Sequence, residues 1–182
     1  MAERSSTYVA FHANPARERV EPEIHYHNLL KVWRVREDND FSFTNAHEKA
    51  AAIRDVRLRT GTERLLRARL QGARNMILIV GQTTREDNDW IPLEVRYAVD
   101  DCGIPIIAAY LGFEHILDPA SLEPLWPAAL AKRIRELTAR VIHIPFREEP
   151  LRDAANQFDH AKPPRGPLSF YNQETYAEWG HV

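Results

Sequence analysis

The run Asn75-Met76-Ile77-Leu78-Ile79-Val80-Gly81 decides the fold. It is apolar without a break, as long as a strand, and closed by glycine. A strand with one face in water alternates apolar and polar residues, whereas a strand covered on both faces does not need to. The run therefore reads as a central strand of a parallel sheet. Ile104 to Leu111 (IPIIAAYL) reads the same way, with Pro105 near its start, where a missing N–H is tolerated. Tyr8 to His12 (YVAFH) and Val141 to Phe146 (VIHIPF) are shorter versions, and Phe41 to Thr44 (FSFT) alternates as a brief strand.

Helical spacing fills the gaps between these strands. Ile24 to Arg34 carries Ile24, Asn28, Leu29 and Val32 at helical intervals. Asn45 to Thr60 is polar and Arg/Ala-rich, either loop or frayed helix. Thr62 to Gln71 is clearer, with Thr62 as N-cap and Leu65, Leu66 and Leu70 on one face. Trp90 to Cys102 is a helix capped by Asn88 or Asp89 and stopped by Gly103, with Pro92 harmless in its first turn. Ala128 to Leu137 and Pro150 to Phe158 complete the set. Parallel strands need crossover helices, and those crossovers are right-handed. The prediction is an α/β three-layer flavodoxin-like sandwich, with five parallel strands in the order 2-1-3-4-5. Residues 1–159 form this domain, and the Pro- and aromatic-rich tail 160–182 packs on it or on a partner.

Composition narrows the class. A chain of 182 residues carries one core, and a formal net charge of −2 speaks against a general nucleic-acid binder. Cys102 is the single cysteine, so no internal disulfide forms and a cytoplasmic home is expected. No apolar run is long enough to span a bilayer, and no signal-peptide pattern is present, so no membrane partner is expected. His25-x-His27 does not suggest a metal, because a helix sends these side chains apart and no further ligand motif accompanies them. His143, inside an apolar strand, reads as a satisfied core histidine. Cys102 reads as packing.

Ligands of such sheets bind beyond the carboxyl ends of the strands, at the switch point between strands 1 and 3. The candidates there are Phe11, His12, Asn45, His47 and the Gly81-Gln82-Thr83-Thr84 turn. Gly81 and Thr83 can approach a pyrophosphate, although no Walker loop follows. On the next helix Ile91, Val95, Ala98 and Val99 face the sheet, while Trp90, Glu94, Tyr97 and Asp101 form a neighbouring stripe at the edge of the core. A carboxylate there suits chemistry on a ribose, where it stabilises positive charge, and a flat aromatic such as Trp90 or Phe11 can stack on a base. By spacing alone, a Glu four residues after a Trp is more often simply solvated.

Four pieces of the chain resemble the TIR-like family that includes the sensor subunit of the Thoeris antiphage system. They are the strand ending in Phe11-His12, the segment FSFTNAHEKAAAIRD (Phe41 to Asp55), the segment ERLLRARLQGARNMILIVGQTT (Glu63 to Thr84), and DWIPLEVRYAV followed by GIPIIAAYLG (Asp89 to Val99 and Gly103 to Gly112). In TIR enzymes the helix after the third strand carries Trp-x-x-x-Glu, which falls on Trp90 and Glu94. The resemblance implies that Glu94 is catalytic. By their place near the switch point Phe11, His12, Asn45, Gly81, Thr83 and Trp90 are the candidate substrate contacts, with backbone hydrogen bonding the equal alternative for His12 and a turn role the commoner one for Asn45. The resemblance implies NAD as substrate, with no further cofactor and no metal. It also implies cleavage of the nicotinamide–ribose bond to a linear, cyclic or conjugated ADP-ribose, the cyclic form favoured. The implied partners are a separate effector that responds to the product, a phage-derived trigger, and further copies of the chain on activation. Pro92 between Trp90 and Glu94 and the long Pro-containing loop after the first strand depart from familiar TIR domains. Two other readings keep the same fold, a non-catalytic TIR-like interaction module and a nucleoside deoxyribosyltransferase-like enzyme with a carboxylate nucleophile. A phospho-receiver is disfavoured, because Phe11-His12 and Gly81-Gln82 stand where it needs acids.

Overall fold

The structure is a computed structural model that describes residues 4–12, 41–43 and 56–181. Strand β1 is Ser6–Ala10 and β2 is Phe41–Phe43, followed by helix α1 (Val56–Gln71), β3 (Ala73–Val80) and α2 (Ile91–Arg96). Then come β4 (Ile106–Tyr110), α3 (Ala128–Arg135), β5 (Val141–Pro145), α4 (Glu148–Gln157), β6 (Ser169–Phe170) and α5 (Gln173–Glu178). The helix expected over Ile24–Arg34, with Asn45, His47, His25 and His27, lies outside the described residues.

The sheet runs β2-β1-β3-β4-β5-β6, and every neighbouring pair is parallel. The expected order 2-1-3-4-5 is thus present and gains a sixth strand from the tail. β3 sits between β1 and β4, with Ile77 facing Val9 on one side and Ile107 on the other. Its side chains divide with the strand period of two. Met76, Leu78 and Val80 enter one core with Leu66 and Leu70 of α1, Ile91 and Val95 of α2 and Leu130 of α3. Ile77 and Ile79 enter a second core with Leu151, Ala154 and Ala155 of α4. Helices therefore cover both faces, which is why the run needs no polar residue. Its one amide, Asn75, is buried too, and donates to the carbonyls of Ala155 and Phe158 at 2.9 and 2.7 Å, closing the last turn of α4.

Two boundaries differ from expectation. α1 begins at Val56, so Thr62 is inside the helix rather than its cap, and the helix runs through an exposed Gly61. α2 is alpha-helical only to Arg96 and continues as a π-turn over Tyr97–Asp101, sealed by Cys102 N–H to the Tyr97 carbonyl at 2.9 Å. Gly103 follows at φ +62, the left-handed position that glycine supplies at a helix end.

The tail is a third difference in kind. Ser169 and Phe170 pair with Ile142 and His143, and Tyr176 of α5 is wholly buried. Tyr171, Tyr176 and Trp179 meet edge to face, with Tyr171 and Trp179 centroids 5.0 Å apart. Such pairs add about 0.5–1.5 kcal/mol beyond area burial. The Tyr171 hydroxyl donates to Asp153 of α4 at 2.5 Å, so these residues pack on their own domain.

Candidate active site

α2 starts just beyond the carboxyl end of β3, and its first turn carries Trp90 and Glu94. Asp87, not Asn88 or Asp89, organises that start. Its Oδ1 accepts from the N–H groups of Asp89 and Trp90 at 2.9 Å each, and from Ile91 at 3.4 Å. A carboxylate on the open N–H groups of a helix start is favourable for hydrogen bonding and for the helix dipole alike.

Glu94 is not at the edge of the core as the spacing suggested. It is 0% exposed. Tyr8, pointing from β1 to the same face, donates its hydroxyl to Glu94 Oε1 at 2.5 Å. A charged carboxylate this deep is costly without a partner, and a phenol hydroxyl is a strong one. Tyr97 on the same stripe is buried as well, clasped by the guanidinium groups of Arg67 and Arg96. Asp101, which a uniform helix would have placed on this stripe, is exposed, because the π-turn between them changes the register.

The other expected site residues separate into three groups. His12 and Thr83 come together at the ends of β1 and β3, with Nδ1 and Oγ1 3.3 Å apart. They lie at the switch point, and both are partly exposed. Gly81 is near them, but its N–H is already bound to Thr84 Oγ1 at 2.7 Å, so that donor serves the turn rather than an incoming phosphate. Trp90 and Phe11 form the second group. Trp90 is 1% exposed and part of the first core, with the Arg59 guanidinium 5.4 Å from its ring centroid. Phe11 is 0% exposed and belongs to the second core, on the opposite face of the sheet from Glu94. The period of two sends Tyr8 and Phe11 to opposite sides, so neither Phe11 nor the buried Trp90 presents a face for stacking. Asn45, the third group, lies outside the described residues.

Tyr8 and Asp87 were missed by sequence reasoning. Asp87 was findable, since an Asp three residues before Trp90 has the reach of a cap. Tyr8 was not, because its partner is 86 positions away.

A second buried polar chain lies on the same sheet face. Trp126 Nε1–H donates to the Tyr110 hydroxyl at 2.8 Å, and that hydroxyl donates to His143 Nδ1 at 2.7 Å. His143 Nε2–H donates to the Pro167 carbonyl at 2.9 Å. Burial pushes the imidazole down to about 4, so it is neutral near pH 7. This is the satisfied core histidine expected from the strand pattern. Burial raises the Cys102 thiol above its ordinary value, in keeping with packing rather than nucleophilic chemistry. Among the described residues no three His, Cys, Asp or Glu side chains are grouped to hold a metal, and no helix is long and apolar enough to cross a membrane.

The family model for the Thoeris protein ThsB, TIR-like domain, matches residues 8–115, more than half of the chain. The match begins at Tyr8 and includes Glu94, the Asp87 cap and the His12–Thr83 pair. No curated protein matches the chain.

Proposed function

The chain belongs to the Thoeris ThsB TIR-like family, and from that premise we propose that it is an enzyme that cleaves NAD at the nicotinamide–ribose bond. The observation that carries the reading is Glu94, a carboxylate held by Tyr8 inside the start of the helix that leaves the switch point.

In this reaction the bond between ribose C1′ and the nicotinamide nitrogen breaks, and its electron pair returns to the ring. Nicotinamide leaves neutral and positive charge develops on the ribose. Glu94 stabilises that charge through the negative charge of its carboxylate. A nucleophile then closes on C1′ and loses a proton. Water gives linear ADP-ribose, and a nucleophilic atom of the same substrate molecule gives a cyclic ADP-ribose that lacks the elements of that water. His12 and Thr83, at the ends of β1 and β3, contact the ribose–phosphate part of the substrate. With Trp90 and Phe11 in the cores, the flat rings of the substrate rest on other groups. The product signals to a separate effector, and the enzyme is switched on by a cue of infection.

The test is NAD consumption and product mass for wild type beside Glu94→Gln, with purified protein and in lysate of phage-infected cells. Glu94-dependent loss of NAD with an ADP-ribose-type product is expected. Turnover at the wild-type rate by folded Glu94→Gln would remove Glu94 from the reaction. Silence of both proteins in both settings would favour a non-catalytic interaction module.

A further inference from the structure

The far end of α2 carries a second feature. Arg67 and Gln71 of α1, with Arg96, Tyr97, Asp100, Asp101 and Cys102, line a groove of about 460 Å3. That volume lies in the range of small-molecule sites. α2 runs from the carboxyl end of β3 back to the start of β4, so this groove opens at the amino ends of the strands. The switch point with His12 and Thr83 is at the other end of the sheet.

The charges in the groove are unbalanced. Arg67 lies 4.1 Å and Arg96 4.8 Å from the centroid of the one Tyr97 ring. The two guanidinium carbons are therefore within about 9 Å of each other, close enough to repel. Arg67 also donates to the Tyr97 hydroxyl, which fixes its position. Among the described residues neither arginine is ion-paired with a carboxylate. Asp100 is occupied, because Arg133 binds both its oxygens and that hydrogen bonding holds its carboxyl below the ordinary value. Arg4 adds a further cation at the wall, donating to the Cys102 carbonyl at 2.8 Å. The lining sets Arg67 and Arg96 against Asp100 and the exposed Asp101; Arg133 on Asp100 and Arg4 beside Cys102 bring further positive charge, so the cations outnumber the carboxylates around the groove.

We propose that this groove is a binding site for the phosphate group of a small phosphorylated molecule, held between Arg67 and Arg96. An oxyanion accepting charge-assisted bonds of about 2.8 Å from each guanidinium bridges such a separation. It also removes the repulsion between two cations that Tyr97 holds in place. The remaining groove length, with Gln71 and the Cys102 backbone, accommodates the body of the ligand. The site is independent of NAD cleavage, since Glu94 and the His12–Thr83 pair take no part in it.

Inorganic phosphate and pyrophosphate, titrated at constant ionic strength into the whole chain and followed by backbone amide shifts, test the proposal. Saturable shifts at residues 67–72 and 96–103, with a dissociation constant separate from that of any shifts at His12 and Thr83, are expected. Arg96 is exposed and makes only a ring contact, so Arg96→Gln folds, and it raises the dissociation constant about tenfold or more through loss of one charge-assisted bond. Arg96→Lys, which keeps the charge without the fork, recovers part of the affinity. Absence of saturable shifts, equal affinity in Arg96→Gln, or shifts centred on His12 and Gly81–Thr84 instead would each overturn the site.

Discussion

Two buried tyrosines on one sheet face hold two buried titratable side chains, and the pairs differ in where the chain leads next. Tyr110 donates a hydrogen bond to His143, whose other nitrogen donates to the Pro167 carbonyl. That chain begins at Trp126 and ends on backbone, with every member on β4, β5 or the segments that cross them. Tyr8 donates to Glu94, which sits one turn into a helix leaving the switch point. Both titratable groups are equally buried. Burial alone therefore does not separate a structural network from a candidate reactive one. Position relative to the carboxyl ends of the strands does.

The largest expected effect falls on the Glu94 side of that comparison. Glu94→Gln keeps size and hydrogen bonding but loses charge, and should lower NAD turnover about a hundredfold or more while leaving the melting temperature nearly unchanged. A fully active, folded Glu94→Gln would make the Glu94 pair structural, like its counterpart.

His143→Leu should do the reverse. It strips partners from the Tyr110 hydroxyl and the Pro167 carbonyl, at about 1–3 kcal/mol for each buried group, readable by denaturant unfolding. Activity per folded molecule should persist. A large drop in activity without loss of stability would break the distinction.

The same histidine gives a pH signature. Its folded pKa of about 4 lies below the ordinary 6.5, so the unfolded chain binds more protons between those values. The stabilisation is complete above pH 6.5 and is lost progressively as pH falls toward 4, by roughly 3 kcal/mol in all. Tyr110 and Trp126, both uncharged, are its side-chain neighbours, so no ion pair offsets the trend. His143→Leu should flatten this part of the stability–pH curve, measured by urea unfolding at several pH values.

Smaller effects test the supports of Glu94. Tyr8→Phe removes only the hydroxyl, and should slow NAD turnover about tenfold with the fold intact, a loss matching one charge-assisted hydrogen bond. Its activity should fall less than that of Glu94→Gln, and the reverse ranking would move the reactive role to the tyrosine. Asp87→Ala leaves three N–H groups at the start of α2 without their acceptor, and should cost about 1 kcal/mol of stability by thermal melting.

Much of this arrangement is legible in the chain itself. The unbroken apolar runs at Asn75–Gly81 and Ile104–Leu111 required a sheet covered on both faces, and the alternation of strands and helices required parallel crossovers. Glu94 was placed on the correct helix, and His12 with Thr83 at the correct end of the sheet. These readings succeed because they depend on local periodicity and on the handedness of crossovers, which a sequence carries directly. The tail was harder. Its aromatics signalled packing, but strand β6 is two residues long and exists only because β5 offers it an edge.

Which candidates lie close together was decided by tertiary structure. Phe11 and Tyr8 are three residues apart, yet the pleat sends them to opposite cores, and Trp90 packs into the first core with Arg59 of α1 over its ring. The depth of Glu94, its bond to Tyr8, and the Arg67–Tyr97–Arg96 stack all join side chains distant in sequence. Periodicity fixes the face a residue occupies within its own element. What lies opposite that face depends on how the elements pack, and no local pattern records it.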